Sequence, residues 1–189
     1  AGLHTSCEEI ENPASSTYAY AKAIQASYLT CGYCDGLADD FPNALRRSIA
    51  AAKVAQQQQR VFTYHNHNHE FRKLNGEYAL DLFYRSTDRA LVQAEIDVYW
   101  VKKGGADPVP YLLKHAGRVP QIHLKDMDGD DGSMTEVGNG IMDLPGIFNA
   151  ASDMGTDWII VEQDTCKRPP LESARISINN LKQLGLFKG

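Results

Sequence analysis

The sequence lacks long apolar segments, an N-terminal leader pattern and an excess of basic residues. No apolar run is long enough to span a membrane, and no charged-then-apolar segment opens the chain. The 19 Lys and Arg residues are outnumbered by 24 Asp and Glu, which argues against a nucleic acid held by phosphate neutralisation. We expect a small neutral or anionic metabolite as partner, with no nucleic acid and no membrane. A cytoplasmic location is expected, and a periplasmic one stays open because a leader could have been removed.

Cysteine is scarce, with four residues at positions 7, 31, 34 and 166. They establish neither a disulfide framework nor a reducing compartment. The pair in CGYC has the spacing of a redox dithiol, but such a motif begins a helix, whereas the following DGLADDFPNA is typical of a loop. We interpret the cysteines as packing residues and keep redox or metal binding as the alternative.

Helical and extended patterns alternate along the chain. The 189 residues, 43% of them hydrophobic, suit a single domain over 1–189 with a substantial core. Helical patterns over 14–26, 42–59 and 107–117 are separated by extended segments such as RVFTYHNH, LVQAEIDVYW (91–100), RVPQIHLKD and DWIIVEQD. This alternation predicts parallel strands joined by crossover helices, hence an α/β fold.

The predicted strands carry polar side chains on one face. Parallel strands are normally buried on both faces, yet Glu95 and Asp97 share a face, as do His123 and Lys125. These groups gather toward the C-terminal strand ends, where the active sites of (β/α) TIM barrels lie. An open doubly wound sheet would not explain four neighbouring strands with polar inner faces. We therefore predict a barrel.

The stretch YHNHNHEF contains three histidines at alternate positions, 65, 67 and 69. If the stretch is extended, the three imidazoles share one face. It is either a functional strand end or a solvated loop in which histidine is merely tolerated.

Asp97, His123 and Glu162 come from three successive predicted strands and could converge with a group from the HNH stretch. Carboxylate and imidazole donors together suit a divalent ion, without distinguishing Mn, Mg, Co, Zn and Fe. Such an ion would polarise a carbonyl or stabilise an enediolate while a nearby carboxylate or imidazole moves the proton. The alternative is a set of buried polar residues that only hydrogen-bond to one another.

The chain resembles the sugar phosphate isomerase/epimerase family of xylose isomerase-like TIM barrels, in particular its branch with a YHNH strand. The matching stretches occur in the expected order from about residue 60 onward: YHNHNHEF, AEIDVYWVKKGGADP, GRVPQIHLKDMD, TEVGNGIMDLPGIF and WIIVEQD. The resemblance implies a metal-dependent enzyme acting on a sugar or sugar phosphate, with Asp97, His123 and Glu162 as metal ligands.

One departure from the family concerns the fourth ligand. Related epimerases have a glutamate at a position that aligns near Thr63, so His65 is expected to replace it, with Glu95 as the alternative. Because that glutamate also serves as one of two opposed bases, lyase or hydratase chemistry on a keto-sugar glycoside rivals isomerisation, and a non-catalytic carbohydrate-binding barrel is a third possibility. The expected catalytic residues are Glu95, Lys125, His67 and Glu70.

Four of the candidate residues have two interpretations each. Lys125 could bind a substrate oxygen or phosphate, or pair with Asp97 or Glu162. Trp100, at a predicted strand end, could stack on a sugar or pack in the core. His4 could contact substrate at the mouth or be frayed, and Glu70 could be a general base or a surface charge.

A second departure from the family lies at the start of the chain. The segment AGLHTS resembles the third strand of related barrels, so two β/α units appear to be missing. Six strands without closure leave two exposed edges. We therefore expect either a fragment of a longer product or a homo-oligomer.

Overall fold

The computed structural model describes residues 1–32 and 36–187. Its elements in chain order are β1 (Gly2–Thr5), α1 (Cys7–Glu11), α2 (Ser16–Ala23), β2 (Tyr28–Cys31), α3 (Phe41–Gln57), β3 (Val61–His65), a 3-10 helix (His69–Phe71), β4 (Lys73–Leu74), β5 (Glu77–Tyr78), α4 (Ala79–Arg85), β6 (Val92–Asp97), α5 (Val98–Lys103), α6 (Pro108–Lys114), β7 (Gln121–Leu124), β8 (Asp126–Met127), β9 (Met134–Thr135), α7 (Leu144–Met154), β10 (Trp158–Val161) and α8 (Pro170–Gln183).

Six parallel strands form the main sheet, in the order β1-β2-β3-β6-β7-β10. Two antiparallel pairs, β4 with β5 and β8 with β9, stand apart from it. The first pair is a hairpin with Asn75-Gly76 at its turn. Asn75 and Gly76 have φ of 52° and 87°, the positive values that the turn between two paired strands requires.

The helices form where local sequence supplies both a cap and an apolar face. The Asp40 carboxylate accepts the Asn43 N–H at the start of α3, and Pro42 lies in the first turn. One side of α3 buries Ala44, Ala51 and other small residues, which allows close approach to the sheet. The core thus lies between the helices and the outer face of the strands.

The main sheet is strongly curved, because side chains from non-adjacent strands meet across its inner face. His4 on β1 contacts Glu95 on β6, three strands away, a separation of about 14 Å in a flat sheet. A Cβ atom on Gly2 would lie 3.0 Å from Nε2 of Gln121 on β7, which is one strand further. The predicted α/β barrel architecture is confirmed, with six strands where a complete (β/α)8 barrel has eight.

The four predicted strands are all shorter in the structure, and two of the differences move candidate residues. The segment 91–100 is extended only through Asp97, and Trp100 lies in the first turn of α5 instead of at a strand end. The histidine stretch is extended only as far as His65, so strand alternation does not align His67 and His69 with it. For CGYC, Cys31 ends β2, and Cys34 lies outside the described residues.

No helix within 1–32 and 36–187 combines the length and apolar character needed to cross a bilayer.

Candidate metal centre

Four side chains from neighbouring strand ends converge on the inner face of the sheet. His65 ends β3, Asp97 ends β6, His123 lies in β7 and Glu162 follows β10. One donor atom from each lies within 4.8 Å of all the others. The structure therefore brings together the four residues predicted as ligands. The register explains the convergence, since Asp97 and His123 are paired neighbours on β6 and β7.

The two oxygens of the Asp97 carboxylate have different partners, one in the helix that follows and one in the site. Its Oδ1 accepts the Trp100 backbone N–H at 3.0 Å and caps α5. Its Oδ2 faces the site, 3.4 Å from His65 Nε2 and 3.0 Å from Lys125 Nζ. The helix cap thus fixes the direction in which the second oxygen points.

The donor set fits a divalent ion. Both ring nitrogens of His65 are buried without a hydrogen-bond partner among the described residues. Asp97 Oδ2 and His123 Nδ1 instead have the Lys125 ammonium and the Glu162 carboxylate as neighbours, at 3.0 and 2.7 Å. Buried polar atoms normally have hydrogen-bond partners, so an unsatisfied imidazole beside two carboxylates is an arrangement that a bound cation would complete. Two imidazoles and two carboxylates suit Zn, Mn, Co or Fe and admit Mg.

Glu95 lies on the other side of the His123 ring from Glu162. Glu162 Oε2 is 2.7 Å from His123 Nδ1, and Glu95 Oε1 is 3.3 Å from Nε2. The second oxygen of Glu95 contacts His4 Nε2. Glu95 therefore belongs to a separate group with His4 and His123, in the position of a carboxylate that orients a ligating imidazole.

His4 is an ordered part of β1 and is not frayed. Its ring stacks on the His123 ring at a centroid distance of 5.1 Å and meets the His65 ring edge-on at 5.2 Å. The side chain is 41% exposed. It lines a cavity together with Glu95, His123 and Glu162.

Lys125 lies among three carboxylates. Its ammonium group is buried, 3.0 Å from Asp97 Oδ2 and 2.9 Å from both Glu162 Oε2 and Asp164 Oδ2. Burial alone would lower the pKa of Lys125, but these carboxylates outweigh it and raise that pKa. The structure thus has the predicted pairing with Asp97 and Glu162, together with a third partner, Asp164.

The same balance governs the pKa values of the other site residues. Burial opposes charge on His123, but Glu162 and Glu95 outweigh it and raise the pKa of His123 to about 9. Burial opposes charge on Glu95 as well, yet hydrogen bonds from His123 and His4 lower its pKa to about 2. The pKa of Glu162 is lowered, chiefly by its hydrogen bond with His123. The site therefore holds a network of opposite charges.

The remainder of the histidine stretch turns away from the sheet. His67 is half-buried, with its ring 4.9 Å from that of His65 and 5.5 Å from that of Trp100. Burial, followed by the charges of His65, His69 and Lys125, lowers the pKa of His67 to about 4. A neutral imidazole therefore faces the mouth of the site at neutral pH. The Trp100 ring lies beside it, 5.6 Å from Lys125 Nζ, and its Nε1 is a buried donor with no hydrogen-bond partner among the described residues.

Glu70 is fully buried, so its interpretation as a surface charge was wrong. Its Oε1 accepts the Tyr64 hydroxyl and its Oε2 accepts the His67 N–H, both at 2.9 Å. These bonds close the turn that follows β3. Burial is the main cause that raises the pKa of Glu70.

The chain matches the family described as the xylose isomerase-like TIM barrel over residues 16–184. The chain belongs to this family. Inosose dehydratases from Clostridium beijerinckii and Clostridium tetani are 26% and 28% identical to it over 151 and 142 residues, covering 69% and 65% of this chain and 50% and 47% of theirs. The chain spans about half the length of these curated relatives.

A solved structure of a sugar phosphate isomerase/epimerase from Parabacteroides distasonis superposes with a TM-score of 0.77. It is 23% identical in sequence, and the match covers 100% of this chain and 72% of that one. The likeness at this identity concerns the fold. The family predicted from the sequence is confirmed at the level of the xylose isomerase-like barrel, and membership of the narrower YHNH branch stays a prediction.

Asn66, which positions Asp97 within this barrel, was not predicted from the sequence. The buried Asn66 side chain accepts the Asp97 backbone N–H at 3.0 Å and donates to the Asp97 carbonyl at 3.3 Å. Its place between two histidines was the only signal, because a carboxamide can satisfy a backbone donor and acceptor together. Asp164, the third partner of Lys125, was not predicted from the sequence either.

Asn66→Ala is expected to weaken cation binding about 10- to 100-fold, the usual effect of removing a group that orients a ligand. The loss of both hydrogen bonds should also cost about 1–3 kcal/mol of unfolding free energy. Titration calorimetry with Mn²⁺ and urea denaturation measure the two effects. Asn68→Ala, at an exposed position in the same stretch, is the matched control, and equal effects from both variants would contradict the assignment of Asn66.

Proposed function

We propose that this chain removes a proton next to the carbonyl of a sugar or related polyhydroxy ketone, with a divalent ion held by His65, Asp97, His123 and Glu162. The observation that supports this proposal is the convergence of one donor atom from each of these residues within 4.8 Å. When bound, such an ion would polarise the substrate carbonyl and stabilise the enediolate left by proton removal.

The pair of His4 and Glu95 is proposed to take up the proton. Glu95 is buried and His4 is partly exposed, so the imidazole is the member of the pair that a substrate can reach. A buried carboxylate that holds one ring nitrogen of an imidazole orients the other and stabilises its protonated form. Glu95 would thereby act through His4, while its contact with His123 holds the neighbouring ring.

Trp100, His67 and Lys125 are proposed to orient the substrate. The Trp100 ring offers an apolar face for the C–H side of a sugar ring, and its Nε1–H has no hydrogen-bond partner in the part of the chain that the structure describes. The neutral imidazole of His67 can accept or donate a hydrogen bond to a hydroxyl group. The Lys125 ammonium would bind a substrate oxygen from within its carboxylate cluster.

Isomerisation or epimerisation is the first candidate reaction, and dehydration is the second. Both start with removal of the same proton. The enediolate is then reprotonated on the neighbouring carbon in isomerisation or on the opposite face of the same carbon in epimerisation, whereas in dehydration it expels the hydroxyl group of the carbon β to the carbonyl, which leaves as water after taking up a proton. Dehydration is favoured by the relatives named inosose dehydratase, since the chemistry in those names is loss of water from a cyclic polyhydroxy ketone. Glycosidic cleavage in a keto-sugar would follow the same course with a different leaving group.

Solvent exchange tests the proposal. Protein stripped of ions and reloaded separately with Mn²⁺, Mg²⁺, Co²⁺ or Zn²⁺ is incubated in D2O with ketoses, ketose phosphates and inososes. We expect deuterium at the carbon next to the carbonyl only in loaded samples, with an isomer or a dehydrated product identified by NMR. Binding of these compounds without exchange under every ion would contradict catalysis and favour a carbohydrate-binding barrel.

Glu95→Gln is expected to slow this exchange about 10²- to 10⁴-fold, the usual contribution of general acid–base catalysis. The neutral amide keeps the size of the side chain but no longer stabilises a protonated His4. Because Glu95 also holds the His123 ring, cation affinity should fall about 10- to 100-fold, so the exchange rates are compared at saturating ion, with the bound cation verified by elemental analysis. Glu77→Gln, at the solvent-exposed pair with Arg85, is the matched control. An unchanged exchange rate in Glu95→Gln would place proton removal elsewhere.

A further inference from the structure

Two cysteines that the proposed reaction does not use lie side by side in the core. Cys31 is the last residue of β2, and Cys7 is the first residue of α1, two positions after β1 ends. β1 and β2 are parallel neighbours in which Thr5 lies opposite Cys31. The two sulfur atoms are 2.7 Å apart, and both residues are almost completely buried.

We propose that Cys7 and Cys31 are a site of reversible oxidation, at which a small peroxide converts the two thiols into an intramolecular disulfide. One sulfur attacks the peroxide, the O–O bond breaks and water leaves, which gives a sulfenic acid. The second sulfur then attacks the first, a S–S bond forms and a second water leaves. Two thiols are thus oxidised and one peroxide is reduced to two waters.

The arrangement favours bond formation over other outcomes of oxidation. The fold holds the second thiol next to the sulfenic acid, so its attack is intramolecular and does not depend on diffusion. Cys31 ends β2, and Cys7 closely follows the neighbouring strand β1. Because their sulfur atoms already face each other, little backbone movement is needed to reach disulfide geometry. Both thiols are almost completely buried, which keeps bulky oxidants away, so a small peroxide is the oxidant in this proposal.

The disulfide would fasten the C-terminal end of β1 to that of β2. β1 carries His4, only three residues before Cys7, and the adjoining Gly32 packs against the His4 ring, since a Cβ there would lie 3.1 Å from Nδ1. Oxidation would therefore immobilise the strand that presents His4. The proposal concerns the two thiols and does not depend on the reaction catalysed.

Hydrogen peroxide at a few equivalents, followed by alkylation and tryptic mapping without reductant, tests the inference. Cleavage after Lys22 and Arg46 separates Cys7 in peptide 1–22 from Cys31 and Cys34 in peptide 23–46. We use a Cys34→Ser chain, in which a covalent link between these peptides joins Cys7 to Cys31. We expect that link, a loss of two hydrogens from the intact mass, and a melting temperature higher by several degrees, all reversed by dithiothreitol.

The Cys166→Ser variant should form the same link, whereas Cys7→Ser should not. Sulfinic or sulfonic acid at Cys7 or Cys31 would overturn the proposal. A link that needs Cys34, or unmodified Cys7 and Cys31 while Cys166 is oxidised, would overturn it as well. Because these measurements use the chain with its native Cys7 and Cys31, instability of the Cys7→Ser variant does not affect the outcome.

Discussion

Asp97→Asn is expected to lower cation affinity by more than about 100-fold. Removal of a proposed ligand should weaken binding more than removal of a group that only orients a ligand, which costs about 10- to 100-fold. Asparagine caps helices as well as aspartate does, so its oxygen should keep the Trp100 N–H. The neutral NH2 group then replaces the charged oxygen that faces His65. An amide nitrogen offers no lone pair to a cation and lies next to the Lys125 ammonium.

Proton exchange in Asp97→Asn should fall about 10³-fold, the rate equivalent of several kcal/mol of lost charge stabilisation. Calorimetry with Mn²⁺ and the exchange assay in D2O measure affinity and rate, and circular dichroism checks the fold. Asp143→Asn makes the same chemical change at the exposed N-cap of α7 and should leave both quantities unchanged. Full affinity in Asp97→Asn would remove Asp97 from the ligand set.

Lys125→Met is expected to destabilise the ion-stripped protein by about 3–5 kcal/mol, the usual cost of leaving a buried charge without its partner. Most of this cost should come from Asp97, which is fully buried, because Glu162 and Asp164 are 40% and 41% exposed and partly screened by water. Urea denaturation in the presence of a chelator measures the loss.

A divalent ion should restore more stability to Lys125→Met than to the unmodified chain. The Lys125 ammonium and the cation use the same oxygens of Asp97 and Glu162, so removal of the lysine frees those oxygens for the ion. At 100 times its dissociation constant, a ligand adds about 2.7 kcal/mol to the unfolding free energy. Lys114→Met is the matched control, because Lys114 also pairs with a carboxylate, Asp81, but is 55% exposed and should cost less than about 1 kcal/mol. If the ion raised the unfolding free energy of Lys125→Met and of the unmodified chain equally, Lys125 and the cation would not use the same oxygens.

The strand that ends at Asp97 shows how far pattern alone locates an element. The apolar alternation of Val92, Ala94 and Ile96 continues into Val98, so period-two spacing gives no sign of a boundary. The boundary is set by Asp97, whose side chain caps the next helix. Aspartate before a helical segment is a recognised signal for the start of a helix. Asp97 had been interpreted only as a metal ligand, although one carboxylate can both cap a helix and face a site.

The histidine stretch was ambiguous for a different reason. Its alternation holds only to His65, because Asn66 turns inward to the Asp97 backbone and Glu70 folds back onto Tyr64 and the His67 N–H. These partners are distant in sequence or lie across a turn, and no periodicity encodes them. His65 was predicted as the fourth ligand because it lies two residues beyond Thr63 on the same face of the strand, with Glu95 as the alternative, and this assignment stays a prediction.

Long-range pairing also explains what the sequence did not reveal around Lys125. Family resemblance supplied Asp97, His123 and Glu162, each on its own strand. It did not supply Asp164, whose contact with Lys125 joins residues 39 positions apart. Strand position predicts which side chains share a face, but the final pairing depends on the length and rotamer of each chain.

The Asp97 carboxylate caps α5 with one oxygen and faces the site with the other, and this affects how such sequences can diverge. A related sequence without the proposed cation site would still need an acceptor at the start of α5, and serine, threonine or asparagine meets that need. Substitution by one of these, with the strand and helix otherwise retained, would be the expected mark of a barrel that kept its shape after losing its reaction.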